Sequence, residues 1–243
     1  MERIILIETS TALCSVALAE DGIITAYKES SAPKAHASLT AVFINEMLAE
    51  RELAVSDCNA ICVSMGPGSY TGLRVGVSTA KGLCFGARKP LLAVGTLDTL
   101  VAQAMKTADD QKENKTGGTY SYIVPMIDAR RMEVYTAVFE NKGQDGGNDY
   151  IQITETVPMI IDEDSFSELL DKGPVLFIGD GAEKCTEVIK HPNAYFCQCQ
   201  PKASAMLSPA LKAYKEKRFE DVAYFEPFYL KEFVATVSKK KLW

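Results

Sequence analysis

The chain has 243 residues, 47% of them apolar, so it can bury a large core as one domain or as two similar lobes. Its 32 acidic and 26 basic residues give a net charge of −6, which argues against a surface that gathers nucleic acid by charge alone. No stretch approaches the ~20 apolar residues of a membrane span, and the first apolar run is too short for a signal peptide. We expect a soluble, cytoplasmic protein without a membrane partner.

The first half of the chain predicts three strands followed by alternating helices and strands. An Asp21-Gly22 turn joins the second and third strands as a hairpin. Strands are predicted over 3–8, 13–19, 23–28, 60–63 and 91–94, and helices over 36–50, 70–85 and 96–105. The order of elements is βββαβαβα.

The second half indicates a looser copy of the same order, beginning after a polar linker over 107–119. Strands are predicted over 120–127, 133–139, 150–154, 175–178 and 194–197, helices over 165–170 and 203–217, and a surface tip over 141–148. The fold prediction is an α/β protein with two duplicated lobes, residues 1–106 and 107–243, and a cleft between them.

The seven cysteines, an odd number, are scattered without the paired spacing of a disulfide framework. This distribution is typical of reduced cysteines in a cytosolic protein. Cys58 and Cys62, and likewise Cys197 and Cys199, lie close together, but neither pair has a matching second pair at metal-site spacing. We therefore expect no metal.

A glycine-rich stretch over 64–86 connects a buried strand to a helix through Gly66, Pro67 and Gly68, with Ser69 at the helix N-cap. The unpaired N–H groups of a helix start can bind phosphate. The same glycines can form a tight turn that needs backbone angles other residues reach only with strain. Residue types favour the turn.

Within the following helix, Gly72, Gly76 and Ala80 recur every fourth residue and leave a strip of nearly bare backbone. Glycine inside a helix costs roughly 1 kcal/mol relative to alanine. Something must therefore pack closely against the strip, either the chain's own sheet, a second helix or a ligand.

A series of motifs spread over the whole chain identifies a resemblance. They are Ile7-Glu8-Thr9-Ser10, His36, the run G-P-G-S-Y-T-G-L-R-V-G from Gly66 to Gly76, Asp128-Ala129-Arg130 before Glu133-Val134-Tyr135, Gly179-Asp180-Gly181 and Pro227-Phe228-Tyr229-Leu230. In this order they resemble the bacterial TsaB (YeaZ) family. Three positions depart from the family: Glu8 where Asp is commoner, Met132 where glycine often closes a hairpin, and Lys231 where Arg often stands.

The resemblance implies the duplicated fold of actin-like ATPases and sugar kinases. It also implies a part in making threonylcarbamoyladenosine (t6A) beside the anticodon, in tRNAs that read codons beginning with A. In that family the protein is the non-catalytic partner of the homologous transferase subunit TsaD and works with a small ATPase, TsaE. Threonylcarbamoyl-adenylate comes from another enzyme, and tRNA is reached through the complex.

The catalytic relative holds a metal with two histidines four residues apart on a helix. Here His36 is followed at that spacing by Thr40, which predicts that no such centre forms. Ser69 stands in a glycine-rich turn without the G-x-S-x-G elbow, which disfavours a peptidase. A tRNA-binding module remains a further alternative, although the acidic balance disfavours it.

A nucleotide-binding or ATP-hydrolysing enzyme of the same fold is the second alternative. Its cleft would be formed by three groups of residues, namely Glu8 and Thr9, Gly66, Gly68 and Ser69, and Gly179, Asp180 and Gly181. We interpret these residues as vestigial turns of an ancestral nucleotide fold. The chain itself then needs no cofactor, and a nucleotide could sit at the partner interface.

The predicted mechanism is interfacial, with the helices over 36–50 and 70–85 lying side by side and the equivalent helices of the partner completing a four-helix packing. The interface candidates are Leu39, Phe43, Met47, Gly72, Leu73, Gly76, Val77 and Ala80. The sequence leaves open which helix face points outward. Without the partner, the same patch predicts a homodimer.

Overall fold

A computed structural model describes residues 1–33, 35–111, 120–143 and 149–231. The described residues form two β-sheets with helices packed against them. Part of the predicted linker (112–119), part of the predicted tip (144–148) and the basic tail from Lys239 to Lys241 lie outside the described residues. No helix in the described ranges is long and apolar enough to span a bilayer.

The first sheet contains β1 (Arg3–Glu8), β2 (Cys14–Glu20), β3 (Ile23–Ser30), β4 (Ala60–Gly66) and β5 (Leu91–Gly95). Its order is β3-β2-β1-β4-β5, with β1, β4 and β5 parallel. Central parallel strands are covered on both faces, which explains the continuous apolar run of β1. Helices α1 (Ala35–Ala49) and α2 (Tyr70–Ala87) cover one face, and a 3-10 turn at Val55–Asp57 connects α1 to β4.

The second sheet repeats this strand order, but two of its strands are each divided into two shorter ones. Its elements are β6 (Tyr122–Asp128), β7 (Glu133–Thr136), β8 (Phe139–Asn141), β9 (Tyr150–Gln152), β10 (Val157–Ile160), β11 (Val175–Gly179) and β12 (Ala194–Gln198), with helices α4 (Ser167–Lys172) and α5 (Ala182–Cys185). The divided strands are β7 with β8 and β9 with β10. The path β10-β7-β6-β11-β12 matches that of the first sheet, while β8 pairs with β6 and β9. The predicted duplication into two βββαβαβα-type lobes is confirmed.

The prediction of a single strand over 133–139 is wrong, because strand pairing is interrupted at Ala137 and Val138. The Val138 N–H instead donates to Thr154 Oγ1 at 2.8 Å, and the Val138 carbonyl accepts from Ile153 N at 2.8 Å. These two bonds hold the interruption at Ala137 and Val138 against the segment that follows β9. Strand β10 was not predicted either, because Pro158 within it is typical of a loop.

Two helices tie the sheets together. Helix α3 (Thr96–Gln111) follows β5 but packs Leu97, Leu100 and Val101 on the second sheet. Helix α6 (Leu207–Lys215), preceded by a 3-10 turn at Ala203–Met206, packs on the first sheet. The predicted helix over 203–217 is therefore part 3-10 and part α, and the lobe boundary between residues 106 and 107 stays a prediction.

The segment over 219–231, here called the C-terminal strap, crosses the first lobe without regular structure. Its backbone bonds to the sheet at both ends, through Glu220 N to Leu91 O at 2.9 Å and Phe228 N to Met65 O at 2.8 Å. Between them, Lys81 Nζ of α2 donates to the carbonyls of Ala223 and Phe225 at 3.0 and 3.1 Å. The strap thus fastens α2 to the end of β4.

Candidate functional site

The corner between β4 and α2 is anchored to the turn after β1. Its Gly66-Pro67 peptide is cis, and Gly66 has a φ of +108°, a backbone conformation that side chains rarely adopt. The Ser69 N–H donates to Ser10 O at 2.6 Å, and Ser69 Oγ accepts from Gly72 N at 3.3 Å as the helix cap. The tight-turn interpretation of these glycines is therefore the correct description of the corner.

The glycine strip of α2 lies against the end of β1. A Cβ on Gly68 would clash with Ser10 O, one on Gly72 with Thr9 O, and one on Gly76 with Thr9 Oγ1. Thr9 Oγ1 also donates to Gly72 O at 2.9 Å. The strip faces the end of β1, so of the three alternatives the chain's own sheet is the one that packs against Gly72 and Gly76.

Most of the predicted interface candidates lie inside the first lobe. Met47, Gly72, Leu73, Gly76, Val77 and Ala80 are buried, and Leu39 and Phe43 are half-buried. Met47, Val77 and Ala80 belong to one apolar cluster with strand residues of the first sheet. In the single chain these six buried positions are unavailable to a partner, because their side chains or bare backbone already pack internally.

The outward side of the two helices carries other residues. We define the outer face of α1 and α2 by exposed positions on both helices, namely Val42, Asn45, Ser78, Gly82 and Phe85. The Phe85 side chain is 84% exposed, and a Cβ on Gly82 would meet nothing within 4 Å. Sequence reasoning missed Phe85, although it lies opposite the glycine strip on the helical wheel.

An apolar groove of about 350 Å³ borders this face between α1 and α2. Ile44 and Leu48 of α1 and Leu83 of α2 line it, with Leu53 and Val55 from the connection between α1 and β4. Apolar side chains of a partner would lose water contact in such a groove, which favours association.

Glu8, at the end of β1, is the buried carboxyl group of the predicted nucleotide cleft. Its Oε1 accepts from Ser10 N at 2.7 Å, whereas its Oε2 has no partner. Burial raises the pKa of Glu8 to about 7, and hydrogen bonds from Ser10 and Ser64 oppose that rise. Glu8 is therefore largely protonated below neutral pH.

The corner uses part of its hydrogen-bond donors within the chain. Three N–H groups at the start of α2 already have partners in the chain: Ser69 N, Gly72 N and Leu73 N. On the other side, a Cβ on Gly66 would lie 2.9 Å from Phe228 O of the strap, so the strap lies close against the corner. These three N–H donors are therefore used within the chain and do not face a ligand.

The second predicted group, Gly179 to Gly181, packs against the end of β6. Gly179 has a φ of +133°, and a Cβ there would clash with Met126 O. Asp180 Oδ1 accepts from Asp128 N at 2.9 Å, and burial raises the pKa of Asp180 to about 6. Within the described part of the chain, no hydrogen bond joins this group to the Glu8 corner.

Thr40 occupies the helical position four residues after His36. Its hydroxyl donates to His36 O at 2.6 Å and lies 3.3 Å from Cys14 Sγ, so it is engaged inside the lobe. Across the residues that the structure covers, no group of three or more His, Cys, Asp and Glu side chains could hold a metal ion. His36 is half-buried in the first turn of α1, and in the described part of the chain its Nε2 atom is buried without a hydrogen-bond partner.

The fold and the site define a class: a duplicated α/β protein with two sheets of matching strand order, whose β4–α2 corner is packed against its own β1 turn. Comparison with known proteins narrows this class. Residues 26–239 match the family model of TsaD, "tRNA N6-adenosine threonylcarbamoyltransferase". The tRNA threonylcarbamoyladenosine biosynthesis protein TsaB of Escherichia coli (strain K12) is 32% identical over 238 residues, covering 96% of each chain.

Two further relatives agree. TsaB of Haemophilus influenzae is 29% identical, covering 97% of this chain and 95% of that protein. The solved structure of YeaZ from Pseudomonas aeruginosa has a TM-score of 0.77 at 26% identity, covering 95% of this chain and all of the other. The chain belongs to the TsaB (YeaZ) family, within the wider family that the TsaD model describes.

Proposed function

We propose that the chain is a non-catalytic subunit that activates the transferase making t6A in tRNA. The support is its full-length similarity to proteins named for t6A biosynthesis, together with its match to the model of the transferase family. Its own partner would be a TsaD-like subunit, joined by a TsaE-like ATPase. The tRNA would be held through the complex, because this chain carries a net charge of −6.

The outer face of α1 and α2 carries the proposal. It combines a large exposed aromatic side chain, Phe85, with open space at Gly82 and an adjoining apolar groove. Aromatic residues are enriched at interface centres, and small residues let a second helix approach closely. In this account a partner helix packs on the outer side of α2, while the glycine strip serves the inner side.

The proposed lack of catalysis rests on the corner. At the start of α2, the N–H groups of Ser69, Gly72 and Leu73 are bonded inside the chain, and Glu8 is buried with a raised pKa, which leaves fewer groups for the phosphate contacts that phosphoryl transfer requires. We accordingly place any nucleotide at the partner interface, with none required by this chain alone. The same outer face would pair two copies when the partner is missing.

The test is a reconstitution of threonylcarbamoyl transfer to tRNA from purified components, with the TsaD-like and TsaE-like subunits supplied. We expect Phe85→Asp to lower the rate at limiting subunit concentration by at least about 30-fold, the effect of losing about 2 kcal/mol at an interface centre. Excess subunit should partly restore the rate, because the defect lies in association.

The matched control is Ile160→Asp, which introduces the same charge at an apolar side chain 71% exposed on the second lobe. It should leave the rate unchanged. Equal losses in both variants would contradict the outer face as the partner surface. Threonylcarbamoyl transfer or steady ATP hydrolysis by the purified chain alone would contradict a non-catalytic role.

A further inference from the structure

A row of aromatic and basic side chains runs over the surface beside the β4–α2 corner and connects the two lobes. It begins in the first turns of α2, where Arg74 Nη1 donates to the Tyr70 hydroxyl at 2.8 Å. The centroid of the Tyr70 ring lies 4.9 Å from that of Tyr229 in the C-terminal strap. Further along the strap, Lys231 forms an ion pair with Glu133 at the start of β7. The row therefore passes from α2 through the strap to the second lobe.

The turn between β6 and β7 adds two arginines at the end of this row. Arg130 and Arg131 have φ angles of +74° and +51°, a region that suits asparagine and glycine in hairpin turns and that bulky residues rarely adopt. Ala129 N donates to Glu133 O at 3.0 Å and closes the turn. Backbone strain of this kind is concentrated at functional sites, and here it presents two exposed arginine side chains.

These side chains are accessible and carry unpaired positive charge. We define the aromatic-basic strip by Tyr70, Arg74, Arg130, Arg131, Tyr229 and Lys231. Among the residues that the structure describes, the arginines in ion pairs are Arg3, Arg51 and Arg218, so none of the three arginines of the strip is among them. Tyr229 is 37% exposed. Arginine side chains contact phosphates, and accessible aromatic rings stack on unpaired bases.

We propose that the aromatic-basic strip binds single-stranded RNA, namely the anticodon loop of the tRNA that the transferase modifies. The choice of RNA rests on the proposed function. With a net charge of −6, the whole chain attracts a polyanion only weakly, so the contact is local to the strip. The Tyr229 ring stacks on one unpaired base, while the arginines on either side of it contact phosphates.

The strip adjoins the outer face of α1 and α2 without sharing its residues. Arg74 precedes Ser78 of that face by one turn of α2, and Phe85 lies about 16 Å from Arg74 along the helix. RNA on the strip would therefore lie beside a partner bound at the outer face. This arrangement brings the loop to the boundary between this chain and the transferase subunit.

The experiment is a fluorescence anisotropy titration of a labelled anticodon stem-loop RNA with the purified full chain at several salt concentrations. We expect the logarithm of the affinity to fall linearly with the logarithm of the salt concentration, with a slope of about −0.7 for each phosphate contacted. A fully paired duplex of the same strand should bind at least about 10-fold more weakly, because its bases cannot stack on Tyr229.

One tyrosine variant tests the stacking. Tyr229→Ala should weaken binding of the stem-loop by about 10-fold at every salt concentration, whereas Tyr229→Phe keeps the ring and should bind like the wild type. The matched control is Tyr195→Ala on β12. Tyr195 is 46% exposed and its ring also contacts a second tyrosine, Tyr120, at 5.4 Å, but it lies outside the strip. This control should leave the affinity unchanged.

One arginine variant tests the phosphate contacts. Arg74→Gln should make the salt slope shallower by about 0.7. Its control is Arg88→Gln at the opposite end of α2, about 20 Å away, which should not change the slope. Urea denaturation of each variant verifies that it is folded.

Three results would overturn the proposal: no salt-dependent binding of the stem-loop, equal affinity for the duplex, or equal losses in Tyr229→Ala and Tyr195→Ala. These results are independent of the test of the proposed function, which depends on Phe85 and the transferase. A chain that binds the stem-loop through the strip but does not activate a TsaD-like subunit would contradict the proposed function and support the strip.

Discussion

Helix α2 has glycines on both of its faces, in opposite surroundings. On the inner face, Gly72 and Gly76 have Thr9 so close that a methyl group would clash. On the outer face, Gly82 and Gly86 have nothing within 4 Å of where a Cβ would be. The inner glycines are required by the fold, whereas the outer ones leave open space that a partner can use.

This difference decides what a substitution reports. Enlarging Gly76 tests folding, because the added atoms meet Thr9 before they reach any partner. Enlarging Gly82 tests association, because the single chain has room for the added atoms. Glycines at every fourth residue of a helix therefore do not by themselves indicate a protein interface. Each glycine must first be assigned to the inner or the outer face.

The largest effect is expected from Gly72→Ala. The added methyl clashes with the backbone carbonyl of Thr9, which β1 holds in place, so we expect a loss of about 3 kcal/mol in the free energy of unfolding. Urea denaturation at neutral pH measures it. The control is Gly82→Ala, expected to gain roughly 0.5–1 kcal/mol from helix propensity. Equal stabilities in the two variants would remove the distinction between the faces.

The next effect concerns Glu8, buried under the inner face. Folding favours the protonated acid, so this group's contribution to stability is complete below about pH 4.5 and is lost as the pH rises to about 7. The glutamine of Glu8→Gln cannot ionise. We therefore expect the free energy of unfolding of this variant to exceed that of the wild type by about 2–3 kcal/mol at pH 8, and to equal it at pH 4. Denaturant titrations across this range check it, and a constant difference between the proteins would refute it.

The smallest effect is expected at Lys81, on the edge between the two faces. Lys81→Met removes the donor to the Ala223 and Phe225 carbonyls, which remain accessible to water, so the loss should be about 1 kcal/mol. Hydrogen exchange should show faster exchange at Phe228 N–H, which bonds to Met65 O. Unchanged exchange there would show that Lys81 does not hold the strap.

The element order of both lobes could be predicted from sequence, because runs such as Ile4–Ile7 and turns such as Asp21-Gly22 are local signals. The break at Ala137 and Val138 could not, since it depends on a bond to Thr154 from a neighbouring strand. The strap was missed for a similar reason. Its Phe228 meets Met65, more than 150 residues earlier in the chain.

The candidate site was predicted in outline only. The motifs located the β4–α2 corner, but the side of α2 that faces β1 is decided by tertiary packing at Thr9 and Ser10. Phe85 carries no motif, and an exposed phenylalanine looks like a core residue in sequence. Only the position of the sheet shows that it points outward.

The most direct test of the central claim is the affinity of the purified chain for the TsaD-like subunit when Gly82 is changed to leucine. The side chain projects from the outer face into open space, so the variant should fold normally and fill the room that a partner helix needs. We expect a dissociation constant raised by at least about 30-fold, measured by titration calorimetry. An unchanged dissociation constant in a folded Gly82→Leu protein would contradict it.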